Sequence, residues 1–401
     1  MKNWENYKKM IAEPLILIVD DNPKNLQILG SYLQLEGYLV EFAMNGESSL
    51  DWIGRTKFDL ILLDIMMPGM DGFEVCRNIK KDPLNHETPV IFLTAKVDTE
   101  SIVNAFELGA VDYVVKPFNQ KELIARVRTQ IEIKKSRDEI AKNLKEIKYK
   151  NKLITYSIQY AQTIQTALMK ASQNGSDFFP EQFCLLVPKD IVSGDFYWFH
   201  KINNRLLVGV FDCTGHGIPG AFMSILGVTL LNETVIREKI CEPHLILNRL
   251  REKIIEALGQ KGIIAEVRDG MDGSMISYDL KNKTLVYSGA FNPMYLIRNN
   301  KIIEFKGDRM PLSYHDNISD FSCQEIQTRP DDLVYLFTDG YIDQFGGENE
   351  KKFQRFRFKQ ILLNIHKNPL TVQREMLLDA HDIWRGNEEQ VDDITVVGLK
   401  L

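Results

Sequence analysis

The first third of the chain alternates short apolar runs with amphipathic segments. Between the runs, apolar residues recur three or four positions apart, as Leu26, Leu29 and Leu33 do, and this spacing predicts helices that each bury one face. Apolar strands that alternate with helices are typical of a parallel sheet covered on both sides. The pattern therefore predicts an α/β domain over residues 14–130, with ligands at the carboxyl ends of its strands. The five predicted strands are Leu15–Val19, Leu39–Ala43, Leu60–Leu63, Val90–Leu93 and Tyr113–Val115.

Residues 131–170 contain no glycine or proline and carry an apolar heptad repeat. One series with a spacing of seven comprises Ile133, Ile140, Ile147, Ile154, Ala161 and Leu168. A second series, offset by four, comprises Leu144, Asn151, Ile158 and Gln165. This repeat predicts a coiled-coil linker that forms a parallel homodimer, in which Asn151 occupies a buried position and fixes the register. The alternative is a single long helix whose apolar seam packs on the chain's own domains.

From residue 176 to the end, strand-like runs follow one another through turns. Helical stretches intervene at about 218–239 and 243–259, and another follows at about 369–385. Successive strands with segregated helices indicate an α+β domain with antiparallel strands. The predicted strands are Phe183–Val187, Leu206–Phe211, Met275–Tyr278, Thr284–Ser288, Met294–Arg298, Leu333–Phe337 and Ile394–Leu399.

Composition narrows the class of protein. The chain has 401 residues, with 49 Lys and Arg against 55 Asp and Glu, a formal net charge of −6. This charge excludes proteins that bind nucleic acid through a broad positive field. No apolar run approaches the roughly 20 residues of a membrane helix and no signal peptide is visible, so we expect a cytoplasmic protein without membrane contact. The five cysteines are widely spaced, which argues against disulfides and thiolate zinc sites.

Polar side chains follow four of the five N-terminal strands. Asp20 and Asp21 follow the first, Asp64 the third, Thr94 the fourth and Lys116 the fifth. Because parallel strand ends meet at one edge of a sheet, these side chains should converge there. Three adjacent carboxylates repel unless they hold a cation, and oxygen ligands with open water positions suit Mg²⁺. A hydroxyl and an ammonium beside them suit phosphoryl oxygens, so the set predicts phosphoryl transfer. The alternative for a single member is a surface aspartate or a helix cap, with Asp21 a candidate cap.

At these positions the sequence resembles the receiver domain of bacterial two-component response regulators. The resemblance rests on VDDNPKNL, LLDIMMPGMDG, LTA and VVKPF, covers residues 14–130, and implies a flavodoxin-like fold. It implies that Asp64 is the phospho-acceptor. It also implies that Asp20, Asp21 and Asp64, with the backbone carbonyl of Met66, bind Mg²⁺.

The same resemblance assigns the remaining polar residues of this edge. Thr94 and Lys116 are expected to contact the phosphoryl group, and Tyr113, three residues before the lysine, to be the aromatic switch. The phosphodonor implied is a sensor histidine kinase or acetyl phosphate.

The C-terminal segment places aspartates beside glycines or other acids at turn-like breaks. They are Asp195, Asp212, Asp272, Asp339 and the pair Asp392-Asp393. Several carboxylates without matching Cys or His ligands favour Mg²⁺ or Mn²⁺. Two such ions promote attack of water on a phosphoester, so the pattern predicts hydrolysis without a protein nucleophile. One alternative is Cys213 as a phosphatase thiolate, although it lacks a glycine-rich anion cradle and a following arginine. For an isolated Asp-Gly such as Asp272, an ordinary turn is the preferred interpretation.

These motifs resemble the metal-dependent Ser/Thr protein phosphatases (PPM family), in their SpoIIE-type, RsbU-like branch. The resemblance covers about residues 155–401, of which 176–401 form the predicted domain, and rests on the entry helix SIQYAQTIQTAL and on GAFNPMYLIR, YLFTDGYIDQFGG and QVDDITVVGL. It implies two antiparallel sheets flanked by helices and a pair of Mn²⁺ or Mg²⁺ ions. Asp212 would bridge both metals. Asp195 and the carbonyl of Cys213 would serve one ion, and Asp339 and Asp392 the other.

Two further features have a functional and a plainer interpretation. His216 is expected to act as general acid toward the leaving Ser or Thr oxygen, or else to order the turn before Gly217. A basic segment after the Thr-Asp-Gly turn could hold a phosphoprotein substrate or could be a solvated loop. The residues considered for this role are Asp343, Lys351, Lys352, Arg355 and Arg357.

The combined expectation is a response regulator whose phosphorylation at Asp64 controls a protein Ser/Thr phosphatase through the intervening helix. In relatives the substrate is a phosphorylated STAS-type antagonist of an anti-sigma factor, so a phosphoserine or phosphothreonine protein is implied. The alternative is a pseudophosphatase that sequesters a signalling partner, but such a protein should lack at least one of the metal-binding aspartates. A DNA-binding response regulator is excluded because no basic helix-turn-helix follows the receiver.

Overall fold

The structure, a computed structural model, describes residues 13–95, 99–172, 179, 181–260, 269–348 and 350–401. The chain divides into two compact units between Asn151 and Lys152. This division falls inside a long helix, so the predicted linker at 131–170 is not a separate compact body. Each unit has hydrophobic clusters of its own.

The N-terminal unit is a five-stranded parallel sheet with helices on both faces, which confirms the predicted α/β class. Its strands lie in the order β2-β1-β3-β4-β5. Alternate residues of each strand enter different cores: Leu17 and Leu63 pack on one face, and Ile18 and Leu62 on the other. The strands are β1 (Leu15–Val19), β2 (Leu39–Ala43), β3 (Leu60–Asp64), β4 (Val90–Thr94) and β5 (Asp112–Val115). The helices are α1 (Pro23–Leu35), α2 (Gly46–Ile53), α3 (Gly72–Ile79), α4 (Thr99–Glu107) and α5 (Gln120–Ser172).

The start of α1 explains how the first two aspartates remain available to a ligand. The helix begins at Pro23, and its cap is Asn22, whose side chain accepts the N–H of Lys24. Proline is favourable there because the first helical N–H has no intrahelical partner. The interpretation of Asp21 as a helix cap is therefore wrong, because Asn22 caps the helix.

Helix α5 runs without interruption for 53 residues. Near its start Ile131 is buried in the N-terminal core, and near its end Gln165 and Met169 are buried in the C-terminal unit. Between these ends the predicted seam is exposed, as at Ile140 and Ile147. The alternative, a seam that packs on the chain's own units, holds at the two ends of the helix but not in its middle. The parallel dimer stays a prediction.

The C-terminal unit contains two five-stranded sheets, which confirms the predicted antiparallel α+β class. Their strand orders are β13-β10-β9-β8-β7 and β12-β11-β14-β17-β6. The first sheet contains β7 (Phe196–Ile202), β8 (Arg205–Cys213), β9 (Met271–Asp279), β10 (Thr284–Ala290) and β13 (Gln324–Gln327). The second contains β6 (Gln182–Val187), β11 (Met294–Arg298), β12 (Lys301–Phe305), β14 (Leu333–Phe337) and β17 (Ile394–Lys400). A two-stranded ribbon is formed by β15 (Phe345–Gly346) and β16 (Lys351–Lys352).

The two sheets face each other, and helices cover their outer sides. Val208 and Ile276 of the first sheet share a core with Leu336 and Val397 of the second. The helices on the first sheet are α6 (Gly217–Asn232), which continues as a π-helical turn (Glu233–Arg237), and α7 (Pro243–Ala257). Those on the second are α8 (Gly340–Asp343), α9 (Gln354–Ile365) and α10 (Leu370–Arg385). The strand ends at one edge of this four-layer arrangement carry the acidic residues.

One helical stretch corrects the expectation about apolar runs. Among the residues that the structure describes, Gly217–Arg237 is long and apolar enough to cross a membrane by length and composition. Half of this apolar stretch is buried inside the unit. Met223, Val228 and Leu231 belong to a hydrophobic core. Its apolar composition is therefore that of a helix in the core of a domain, since such a helix can have the same length and hydropathy as a membrane span.

Candidate functional site

Lys116 bridges two carboxylates at the carboxyl end of the parallel sheet. Its Nζ lies 2.8 Å from an oxygen of Asp20 and 2.6 Å from an oxygen of Asp64. Asp64 ends β3 and Asp20 directly follows the neighbouring β1, so the topology alone brings them together. Burial raises the pKa of the Asp64 carboxyl, and the bond from Lys116 opposes that rise. For Lys116, burial lowers the pKa, but the bonds to both carboxylates outweigh it and the net shift is upward.

The predicted Mg²⁺ ligands lie together at this edge. One ligand oxygen from each of Asp20, Asp21 and Asp64 lies within 4.8 Å of the others. Asp20 is oriented by the N–H of Asn22, 2.9 Å away, and Asp64 accepts the N–H of Met66 at 3.3 Å. An all-oxygen set of this size fits a single small hard cation such as Mg²⁺.

Thr94 and Tyr113 occupy the places that the sequence predicts. Thr94 ends β4 beside Asp64's strand and is buried. Tyr113 lies on β5, where its ring meets Phe106 edge-on at 6.4 Å and the Arg126 guanidinium at 5.7 Å. Tyr113 therefore contacts both α4 and α5, which is a suitable position for a side chain that reports the state of the site to the long helix.

Five carboxylates gather at one edge of the C-terminal sheets. Asp212 on β8 and Asp272 on β9 are direct partners in the antiparallel register. Asp212 also interacts electrostatically with Asp195, Asp339 and Asp392. Asp195 precedes β7 in the first sheet, whereas Asp339 follows β14 and Asp392 precedes β17 in the second. The cluster is looser than the N-terminal one: among the described residues, only the N-terminal set has three ligand atoms within 4.8 Å of one another.

The pKa values of several carboxyl groups in this cluster are raised. Burial raises the pKa of Asp195 well above the ordinary value, although hydrogen bonds from Thr338 and Thr395 oppose the rise. Burial, followed by the charge of Asp195, raises the pKa of Asp212 well above the ordinary value. Burial and the charge of Asp343 raise the pKa of Asp339. Burial and the charge of Asp339 raise the pKa of Asp272 to about 7. Buried carboxylates need compensating positive charge, and an all-oxygen set fits hard divalent cations.

The interpretation of the Asp-Gly pair at Asp272 as an ordinary turn is wrong. Strand β9 begins at Met271, so Asp272 belongs to a strand and pairs with Asp212. The sequence also left Asp393 without a role. Its two carboxylate oxygens accept the N–H groups of Lys189 at 2.7 Å and Gly194 at 2.6 Å, which fixes the loop that leads to Asp195.

Comparison with known proteins divides the chain in the same way. Residues 16–128 match the response regulator receiver domain family, and residues 203–401 match the Stage II sporulation protein E (SpoIIE) family. The chain thus contains a receiver domain followed by a SpoIIE-family domain. The SiaA-PP2C domain of Pseudomonas aeruginosa superposes with a TM-score of 0.57 at 29% identity, over 63% of this chain and 98% of that domain.

Two curated relatives each match about a third of this chain. The transcriptional regulatory protein ResD of Bacillus subtilis is 44% identical over 116 residues, which are 29% of this chain and 47% of ResD. The DNA-binding response regulator MtrA of Mycolicibacterium smegmatis is 42% identical over 129 residues, 32% of this chain and 54% of MtrA. The chain thus spans about half the length of these relatives.

Within the SpoIIE-family domain, Cys213 is poorly suited to be a nucleophile. The residue is buried, and burial together with the charge of Asp212 raises the pKa of its thiol well above the ordinary value. A thiolate is the reactive form of cysteine, so this environment suppresses it. The alternative phosphocysteine chemistry therefore finds no support, and only the backbone carbonyl of Cys213 remains a candidate ligand.

His216 is held on both ring nitrogens. Nε2 lies 2.9 Å from Nζ of Lys189, and Nδ1 lies 2.8 Å from a carboxylate oxygen of Asp190. Because a lysine ammonium only donates, Nε2 accepts and Nδ1 carries the proton toward Asp190. A general-acid role for His216 would require Lys189 to leave Nε2, whereas ordering of the turn before Gly217 is served by the contacts as they stand.

The basic segment after the Thr-Asp-Gly turn is partly tied down. Lys352 bonds Asp343 at 2.7 Å, and the Arg357 guanidinium lies 4.6 Å from the centre of the Trp384 ring. Lys352 also opposes the upward shift in the pKa of Asp339. Asp343 and Lys352 of this segment thus both have an electrostatic link to Asp339 of the carboxylate cluster.

Proposed function

We propose that phosphorylation of Asp64 controls a divalent-metal-dependent protein Ser/Thr phosphatase in the C-terminal domain. The observation that carries the proposal is the gathering of Asp195, Asp212, Asp339 and Asp392 from four distant segments at one edge of two sheets. Such a concentration of buried negative charge destabilises the domain unless it binds cations. A pseudophosphatase has no reason to keep all four carboxylates.

The chain's own residues supply a cage rather than a nucleophile. In the proposed cage Asp212 would bridge both ions, Asp195 and the carbonyl of Cys213 would serve one ion, and Asp339 and Asp392 would serve the other. Two Mn²⁺ or Mg²⁺ ions bound there would neutralise the phosphoryl charge and activate a water molecule.

The proposed substrate is a phosphoserine or phosphothreonine protein, such as a STAS-type antagonist of an anti-sigma factor. The proposed phosphodonor for Asp64 is a sensor histidine kinase or acetyl phosphate, with Mg²⁺ bound by Asp20, Asp21, Asp64 and the carbonyl of Met66. Signal transfer from the receiver through α5, in a parallel homodimer, completes the proposal. A cytoplasmic location suits every one of these partners.

Hydrolysis of p-nitrophenyl phosphate by the full chain tests the enzymatic part. We expect turnover with Mn²⁺, loss of turnover with EDTA, and a decrease of roughly 100-fold or more in kcat/KM for Asp339→Ala, because this carboxylate belongs to the proposed cage. Turnover that neither EDTA nor Asp339→Ala reduces would contradict the metal mechanism. A folded chain without turnover at any Mn²⁺ concentration would favour the pseudophosphatase.

Turnover of a phosphoserine protein with and without acetyl phosphate tests the regulatory part. Wild type should change its rate when acetyl phosphate is added, and Asp64→Asn should not, since the amide cannot accept the phosphoryl group. Asp71→Asn is a matched control, because Asp71 caps α3 and belongs to neither site. Equal rates in all conditions would refute control by Asp64.

A further inference from the structure

Two threonine hydroxyls hold one oxygen of Asp195. Oδ2 of Asp195 lies 2.6 Å from Oγ1 of Thr338 and 2.8 Å from Oγ1 of Thr395. All three side chains are buried. Thr338 directly follows β14, Thr395 lies on β17, and Asp195 directly precedes β7 of the opposite sheet. The contact therefore joins the two sheets at the carboxylate cluster.

The other hydrogen bonds of these groups determine which atoms donate and which accept. The backbone N–H of Thr395 donates to Oγ1 of Thr338 at 3.0 Å, so that hydroxyl already accepts and its single proton is available for Asp195. The bond from Thr395 also points its proton at Oδ2, because an ionised carboxylate only accepts. Two O–H donors on one oxygen orient the carboxyl group and leave Oδ1 unengaged by either hydroxyl. Charge-assisted bonds of this kind are stronger than neutral ones.

The surrounding backbone makes this arrangement rigid. The N–H of Thr338 donates to the carbonyl of Thr395 at 3.0 Å, so the two threonines are tied to each other as well as to Asp195. The N–H of Asp195 donates to Oγ of Ser193 at 3.1 Å. Thr338 immediately precedes Asp339, and Thr395 lies three residues after Asp392. Each hydroxyl donor is thus carried by a segment that also supplies a proposed metal ligand.

We infer that Thr338 and Thr395 are positioning residues that present Oδ1 of Asp195 to a divalent cation. The inference rests on the proposed metal site, and neither threonine contacts the ion. Groups that bond a metal ligand from behind commonly change metal affinity 10- to 100-fold when removed. The two hydroxyls therefore set how tightly the cation is held.

Calorimetric titration with Mn²⁺ tests the inference on the full chain. All variants carry Asp20→Asn and Asp21→Asn, so that the receiver site does not contribute to the heat. We expect Thr338→Val and Thr395→Val each to weaken Mn²⁺ binding about tenfold, since valine keeps the shape of threonine and removes only the hydroxyl. Thr338→Ser and Thr395→Ser should bind within about twofold of the parent, because serine restores the donor.

Thr234 provides a matched control in the same domain. It is fully buried, and its hydroxyl has no hydrogen-bond partner in the structure. Thr234→Val should leave Mn²⁺ affinity unchanged while altering buried volume in the same way. If a valine variant at 338 or 395 fails to fold, judged by its thermal transition against Thr234→Val, the alanine variant at that position takes its place.

The outcomes separate this inference from the proposed function. Valine variants that bind Mn²⁺ as tightly as Thr234→Val, or serine variants as weak as the valine variants, would overturn the role of the hydroxyls. Metal dependence of p-nitrophenyl phosphate turnover, measured without the receiver substitutions, should show a raised Mn²⁺ requirement for the valine variants and nearly unchanged kcat at saturating Mn²⁺. A wild-type chain that binds Mn²⁺ but hydrolyses nothing would refute the phosphatase and leave the binding series intact.

Discussion

Asp272 lies in a Gly-Met-Asp-Gly segment whose composition is typical of a turn. The pairing that makes it important is with Asp212, 60 positions earlier in the chain, and depends on the register of β8 and β9. The same placement buries the carboxyl group of Asp272, and burial, followed by the charge of Asp339, raises its pKa to about 7. The pKa of Asp272 therefore makes the stability of the domain depend on pH.

The sign of that dependence follows from the two pKa values. Between the ordinary value near 3.8 and about 7, the folded chain holds a proton at Asp272 that the unfolded chain has lost. The free energy of unfolding therefore falls as pH rises through this window when no divalent cation is bound. We expect Asp272→Asn in EDTA to be more stable than wild type by roughly 2 kcal/mol at pH 8, with the difference vanishing near pH 4.

Urea denaturation at pH 4, 6 and 8 in EDTA measures this effect. Asp279→Asn is a suitable control, because Asp279 ends the same strand and lies in a hairpin turn, away from the carboxylate cluster, where it accepts the N–H groups of Lys281 and Asn282. A stability difference between Asp272→Asn and wild type that does not change with pH would contradict the assignment.

At the scale of elements, the strands that are nearly pure Ile, Leu and Val could be predicted to within a residue. Leu15–Val19 and Leu333–Phe337 have the predicted bounds. Strand β12 was missed, although Asn299 and Asn300 both adopt positive φ and form the two-residue turn that favours a hairpin. Its two charged residues, Lys301 and Glu304, leave only three apolar residues in the strand and hide the apolar pattern.

Strand β7 and helix α9 were missed for other physical reasons. In β7, aromatic residues such as Trp198 replace the aliphatic residues that mark a strand. In α9, Arg and Lys interrupt the apolar spacing, and only Phe358, Leu362 and Ile365 reach the core. The hydroxyl contacts at Asp195 could not be predicted, since they join residues 143 and 200 positions apart.

The exposed middle of α5 leads to a prediction about assembly. If its seam forms the proposed parallel dimer, Ile147→Asp should weaken self-association at least tenfold, because it buries a charge in an apolar interface. Tyr149→Asp introduces the same charge at an exposed position off the seam and should leave association unchanged. Sedimentation equilibrium of the full chain measures both. Equal association constants for the two variants would refute the seam as the interface.

At the scale of the whole molecule, two units with separate hydrophobic cores share one helix. Each unit carries its own cluster of acidic ligands, so a ligand that binds one site should stabilise chiefly that unit. Calorimetry should therefore resolve two thermal transitions. Mg²⁺ with beryllofluoride should raise one of them, and Mn²⁺ should raise the other by several degrees at a hundredfold excess over its Kd.

Variants assign the two transitions to their units. Asp64→Asn should abolish the shift caused by beryllofluoride and leave a Mn²⁺ shift of the other transition, whereas Asp212→Asn should do the reverse. The same experiment also tests whether α5 couples the two sites. If α5 transmits the state of Asp64 to the catalytic edge, beryllofluoride should also change the Mn²⁺ response of the second transition in wild type but not in Asp64→Asn. A Mn²⁺ response that is identical with and without beryllofluoride would show that the coupling free energy between the two sites is zero, although one helix joins the two units.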